Sequence, residues 1–384
     1  MTRTLLFHSG MPKTGTTSIQ NACHAARGDL LALDRILYPG LAANHTNPVC
    51  TLFMDDPARH ISNKMANIQT AEALTGLQAR YRAELVHELE RDDWDTLVIS
   101  AEGAANLSRG ELGALRDWFG LYVDQIEVIY YLREPIGYTA SVTQQLLKGG
   151  MVLADLYAKP ELPNWKGRLA NAIAVFGRDH VRIRDFGAGT KADGGLVADF
   201  CDTLGFSTAA KAAVLAHEKR DNESLSMEAA EMLSALNTLR PMFGPEGRSA
   251  RRTGRETLTF EQLPGQKFTL PLPVRRTVHE RTRPDVAFVN ETFGTSLFDT
   301  PPPEGSDAPP AAGPGTPAFE ATVLLVSDLL NANEALRACL QARHMADGKN
   351  LDGARSRLAY AEGLCPDDPV VTTEADRIRR RYKL

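Results

Sequence analysis

The sequence predicts a three-layer α/β protein, a doubly wound and mainly parallel sheet, with a small helical module at its C-terminal end. Three observations carry this. Short runs of buried-type residues alternate with segments of helical spacing, a glycine turn joins the first run to the first helix, and a proline- and glycine-rich stretch sets off the last helices.

The elements follow in order. "TLLFHSG" (4–10) reads as a short buried strand, and "TTSIQNACHAA" places Ile19, Ala22 and Cys23 on one helical face. A charged helical segment, "LQARYRAELVHELERDD", leads into a second strand, "DTLVISAE" (95–102). "QIEVIYYLRE" (125–134) is rich in β-branched and aromatic residues, which suits a strand covered on both faces. Pro135 then fits the first turn of a helix reaching about residue 148, because its missing N–H falls where a helix has no partner for it. "HVRIRDF" (180–186) reads as a fourth strand. "TPPPEGSDAPPAAGPGTP" (300–317) keeps no periodic apolar face and reads as a linker. Beyond it the chain is helical, and Ala354, Leu358, Ala361 and Pro366 are spaced as in the second half of a tetratricopeptide repeat. One repeat cannot bury its own face, so this segment reads either as an appendage or as a module for a protein partner.

At 384 residues with 43% hydrophobic side chains, the chain can bury one large core and a second, smaller one. A net charge of -5 argues against bulk binding of nucleic acid. Five cysteines, Cys23, Cys50, Cys201, Cys339 and Cys365, are odd in number and never spaced C-x-x-C, which supports neither a disulfide framework nor a zinc site. The apolar run at the start is too short for a signal peptide and no segment approaches a membrane span, so a cytoplasmic protein is expected.

"HSGMPKTGTTSIQ" (8–20) holds the chemistry. Gly10 and Gly15 have the spacing of a P-loop, G-x-x-x-x-G-K-[ST], but Thr16 occupies the lysine slot and Lys13 lies inside the loop. A strand-to-helix glycine turn binds phosphate through N–H groups converging at the positive end of the helix, and this needs no lysine at a fixed slot. With Lys13 inside, the loop suits a transferable group hanging from a single 5′-phosphate better than a γ-phosphate.

"PKTGTT" resembles the 5′-phosphosulfate loop of sulfotransferases that use 3′-phosphoadenylyl sulfate (PAPS), whose familiar form is P-K-[ST]-G-T-T. In that family a strand ends in an arginine and a serine follows eight residues later on the next helix, the two binding the 3′-phosphate. Arg133 and Ser141 in "YYLREPIGYTASVTQQ" have that spacing, and the helical stretch between Pro135 and Ser141 spans roughly 9 Å. "RILYPGLAANHTNP" (35–48) and "RPDVAFVNETFG" (283–294) are similar to further segments of the bacterial members, so the likeness covers about residues 1–298.

The resemblance implies a P-loop-like sulfotransferase domain over 1–298, and the linker, 299–317, and the helical tetratricopeptide-like module, 318–384, lie outside it. It implies PAPS as donor, adenosine 3′,5′-bisphosphate as product, no required metal, and Lys13, Thr14, Gly15, Thr16, Thr17, Arg133 and Ser141 as nucleotide ligands. The acceptor implied is a hydroxyl, on a carbohydrate or glycoconjugate. Lys13 would carry charge at the breaking bond.

For the base, Glu102 ends the second strand run and should emerge at the same sheet edge as the loop, where burial would raise its pKa and Lys13 would oppose that. It also reads as a capping or ion-paired carboxylate. His45, in "NHTNP", is a second candidate base or acceptor-binding residue and also reads as a polar loop residue; His8, in the first strand, reads as structural. The arginines Arg248, Arg251, Arg252, Arg255, Arg275, Arg276, Arg281 and Arg283 form either a flap over an anion or a solvated loop. Trp165 and Phe186 are candidate stacking residues. Two other readings stand beside transfer: a non-catalytic nucleotide-binding or interaction protein on the same fold, and a P-loop kinase using ATP, in which Glu102 would stand in for the Mg²⁺-binding aspartate.

Overall fold

The computed structural model describes residues 2–68, 70–219, 224–244, 247–249, 252–305 and 317–384. Two compact units interleave along the chain. The first is Met1–Tyr138, Leu162–Asn222 and Val278–Pro302, and the second is Thr139–Glu161, Glu223–Thr277 and Pro303–Leu384.

The first unit is an α/β layer structure around five parallel strands: β1 (Thr4–His8), β2 (Ile36–Leu37), β3 (Thr96–Ser100), β4 (Gln125–Leu132) and β5 (Val181–Asp185), in the order β2-β3-β1-β4-β5. β1 is central, with Thr4 opposite Thr96 on one side and Gln125 on the other. Strand alternation gives the sheet two buried faces. Leu5, Phe7, Leu97, Ile99, Val128 and Tyr130 enter one core with Trp94, Phe119 and Trp165. Leu6, Val98, Ile129 and Tyr131 enter the other, against Ile19 and Cys23 of helix α1 (Thr16–Ala25) and Phe200. The chain builds β2 and β3 on one side of β1 and then crosses to β4, so the ends of β1, β3 and β4 flank the topological switch point where open α/β sheets bind ligands.

Four of the five strands and the helix Pro135–Lys148 fall where the sequence pattern puts them. β2 was not anticipated, since its two residues are too few to show a period. The charged helix runs Ala71–Leu89 and stops before "RDD". The "NHTNP" loop is shorter than expected, because His45 is the N-cap of a helix Thr46–Phe53 that accommodates Pro48 in its first turn.

The second unit contains three C-terminal helices, Pro317–Asp347, Leu351–Leu364 and Pro369–Tyr382. They share a core of small and medium residues: Ala335, Ala338, Cys339 and Ala342 face Ala354, Leu358 and Ala361, with Val371, Ala375 and Ile378 from the last helix. Asn350 caps the second helix through the Gly353 N–H, and Asp368 caps the third through Val370 and Val371. Most of the expected linker, 306–316, lies outside the described residues. No helix among them is long and apolar enough to cross a membrane.

Candidate functional site

The turn between β1 and α1 is shaped by two residues in the left-handed region, Lys13 at φ 66° and Gly15 at φ 69°. Gly15 is the N-cap of α1, supplies no side-chain cap, and is followed by no acidic residue in the first turn. The first N–H groups of a helix have no intrahelical partner, so this positive end is left for an outside anion. The helix after β4 is finished differently: the Glu134 carboxylate accepts from the N–H groups of Ile136 (2.9 Å) and Gly137 (2.7 Å) and closes that end itself.

Arg133 connects the two turns. Its guanidinium donates to the Lys13 carbonyl at 2.9 Å and lies over the Phe186 ring, 5.2 Å from its centroid. It is partly buried; burial lowers its pKa, and the neighbouring Glu134 carboxylate opposes that shift while itself bonding the Ile136 and Gly137 N–H groups. A partly desolvated cation held against an open helix end can receive an anion. Ser141 is half-buried on the helix that begins at Pro135. It falls in the second unit and Arg133 in the first, so the pair rests on its spacing in the sequence.

The hydroxyls of the loop divide. Thr14 is fully buried and donates to the Met11 carbonyl at 2.6 Å, which leaves its hydroxyl committed to the turn. Thr16 is buried and donates to Glu102 Oε2, while Thr17 is exposed. Buried at the foot of the loop, His8 Nε2 has no hydrogen-bond partner among the described residues, and Ser9 lies beside the Tyr130 hydroxyl.

Glu102 follows β3 and opens a short 3₁₀ turn, Glu102–Asn106. Its neighbour Gly103 is held by Thr46 Oγ at 3.0 Å, and the approach is so close that a Cβ at Gly103 would sit 2.4 Å from the Thr46 methyl. Burial raises the Glu102 pKa above its ordinary value, and Thr16, Lys13 and Arg168 each oppose the rise. Arg168 was not singled out by sequence. It follows no motif, and only the packing of the helix Trp165–Phe176 brings its charge to Glu102.

His45 lies deep in the first unit. Its Nδ1 accepts from the Ser100 N–H at 3.1 Å, which makes Nε2 the protonated nitrogen, donating to the Pro39 carbonyl at 3.1 Å. Burial lowers its pKa to about 4. His8 is likewise buried, bonds Ser100 Oγ through Nδ1 at 2.8 Å, and is lowered to about 4. Trp165 is fully buried against Phe298 and has no face to offer a base, whereas Phe186 lies between Arg133 and Gly15.

The arginine-rich stretch does not act as one patch. Arg252 is buried and donates to the Arg240 carbonyl at 2.7 Å and to Asn237 Oδ1 at 3.0 Å, so it braces the second unit and is no flap residue. Arg283 lines a cavity of about 400 Å³ in the first unit, with Glu134, His279 and Asn290. Arg251 and the side chains of Arg248 and Arg255 lie outside the described residues.

Neither a family model nor a curated protein matches the chain. Among solved structures, a sulfotransferase from Alicyclobacillus acidocaldarius is similar over 63% of this chain and 95% of its own, at 15% identity and a TM-score of 0.36.

Proposed function

We propose that the chain is a sulfotransferase that moves a sulfuryl group from PAPS to an acceptor hydroxyl, with residues 1–298 as the catalytic region. The observation that carries this reading is the uncapped N-terminus of α1, flanked by Lys13 and by a partly buried Arg133 tied to the Lys13 carbonyl. It is supported by the "PKTGTT" match and by the unpartnered His8 Nε2 beneath the loop.

In the reaction proposed, a bond forms between the acceptor oxygen and sulfur, and the bond from sulfur to the bridging phosphate oxygen breaks. That oxygen leaves with the electron pair as the 5′-phosphate of adenosine 3′,5′-bisphosphate. The α1 amides and the Lys13 ammonium stabilise the charge that develops on it. The acceptor proton passes to Glu102, whose raised pKa brings it nearer the operating pH. Glu102 is preferred to His45 because both ring nitrogens of His45 are engaged by backbone groups. Arg133 and Ser141 take the 3′-phosphate. The acceptor proposed is a carbohydrate or glycoconjugate hydroxyl, and the C-terminal helices are offered to a protein partner.

A thermal-shift titration with adenosine 3′,5′-bisphosphate, ATP and GTP tests the reading. Ligand at about 100 times its Kd stabilises the native state by about 2.7 kcal/mol, and only the bisphosphate carries the 3′-phosphate that Arg133 and Ser141 would hold. ATP stabilising equally well would remove the main support. The Thr16–Glu102 bond is the observation that favours a kinase, because a loop hydroxyl beside a strand-end carboxylate is also how a Mg²⁺–nucleotide is held; the ATP arm with Mg²⁺ decides between them. On catalysis, Glu102→Gln is expected to abolish sulfate transfer and retain bisphosphate binding, and unchanged turnover would move the base elsewhere.

A further inference from the structure

Thr16 has a single hydroxyl proton, and in this structure it goes to Glu102 Oε2. No other donor hydrogen-bonds the Glu102 carboxylate among the described residues. The Thr16 methyl packs against Gly10, so tightly that a Cβ there would lie 2.4 Å from it. That contact fixes the side chain, yet the proton can be re-aimed by rotation about the Cβ–Oγ bond with no heavy atom displaced. Thr16 is also the first residue of α1, at the uncapped end where a phosphate would sit.

A carboxylate and a phosphate are both pure acceptors, so one O–H cannot serve both. We propose that Thr16 is a positioning residue that hands its proton from Glu102 to the nucleotide phosphate as the loop fills, freeing the Glu102 carboxylate to accept from the acceptor hydroxyl. This rests on the sulfotransferase reading and adds an order to it. The empty loop keeps the base occupied, and the loaded loop releases it, so donor binding precedes productive acceptor binding.

The exchange has an electrostatic consequence. The charged groups facing Glu102 are Lys13 from the loop and Arg168 from the helix Trp165–Phe176. When phosphate enters, Glu102 loses a donor, gains a neighbouring anion and shares Lys13 with it. All three changes raise its pKa, so part of the Glu102 population takes up a proton on binding and the ionised remainder is a stronger base. The uptake appears at pH values above the ordinary 4.5 of a glutamate and fades on the alkaline side, where the carboxylate stays ionised in both states.

Calorimetric titration of the full chain with adenosine 3′,5′-bisphosphate, in buffers of different ionisation enthalpy across about pH 5.5 to 8, measures this uptake. Bound phosphate has ionisations of its own, so the quantity read is wild type minus Glu102→Gln. The expected difference is positive and a fraction of a proton, the Glu102 that stays ionised being the form that serves as base. It shrinks in Thr16→Val, where Glu102 has already lost its donor before binding, and returns in Thr16→Ser. A difference of zero, or one unchanged in Thr16→Val, with the bisphosphate still binding, overturns the exchange and leaves the sulfotransferase reading intact. Failure of the bisphosphate to bind at all overturns both.

Discussion

Lys13 is held at φ 66°, a conformation that costs a residue with a Cβ roughly 1–2 kcal/mol. The strain is sustained by the bond from Arg133 to the Lys13 carbonyl, which fixes the backbone that aims the ammonium. Backbone strain kept beside a receptor for anions is the kind that accompanies function. Removing one preorganised charge from the leaving oxygen costs about 10²–10³ in rate, so Lys13→Ala is expected to lower kcat by that factor while leaving the bisphosphate thermal shift largely in place, because the amides and Arg133 remain. Single-turnover transfer with labelled PAPS measures it. A near wild-type rate would take the lysine away from the breaking bond and leave it a merely structural turn residue.

At the scale of the element, the loop and its helix are governed by Gly15. A Cβ there would lie 2.3 Å from Leu196 Cδ2 and would be carried at φ 69°. Gly15→Ala is therefore expected to destabilise the first unit by about 1–3 kcal/mol and to diminish the bisphosphate shift. Gly28 is the matched control: it lies in the helix Arg27–Asp34 with nothing within 4 Å of a built Cβ, so Gly28→Ala should stabilise by roughly 0.5–1 kcal/mol. Urea unfolding of the two variants gives opposite signs if this account of the loop holds. The same elements explain what was legible in the sequence. β1, β3 and most of β4 are continuous apolar or β-branched runs, as strands buried on both faces must be, and the edge strand β5 shows as the alternation Val181, Ile183 against Arg182, Arg184, whereas β2 with two residues carries no period. Glu102 was legible by its place at the end of a strand run. Its bond to Thr16, which spans 86 positions, exists only through the pairing of β1 with β3 and has no local signature. His45 illustrates the limit from the other side. Its residue type suggested a base, but the backbone groups that use up both its nitrogens come from Pro39 and from Ser100, which is remote in sequence.

At the scale of the molecule, the first unit folds around two neutral histidines. His8 and His45 are buried and each is lowered to about 4 from an ordinary 6.5. A lowered histidine pKa means that, as the pH falls from 6.5 toward 4, the unfolded chain takes up protons that the folded unit refuses, so stability is intact above 6.5 and is lost across that window. At 1.36 kcal/mol per unit the loss is about 3 kcal/mol for each histidine, against a total stability typically about 5–15 kcal/mol. Glu102, whose pKa is raised, works in the opposite sense, since its ionised form is the penalised one and acid relieves it. The expected outcome is a steep fall in unfolding free energy between about pH 6 and pH 4, with a slope approaching two protons from the histidines alone. His8→Asn keeps a polar atom where Nδ1 meets Ser100 and removes one titration, so it should reduce the slope by about one proton whatever it does to absolute stability. All three tryptophans, Trp94, Trp118 and Trp165, belong to the first unit, which makes intrinsic fluorescence in urea a reporter of that unit and separates its acid transition from any in the second. A slope that His8→Asn leaves unchanged would mean that His8 is protonated in the folded unit, and the unpartnered Nε2 beneath the glycine loop would then carry a positive charge of its own.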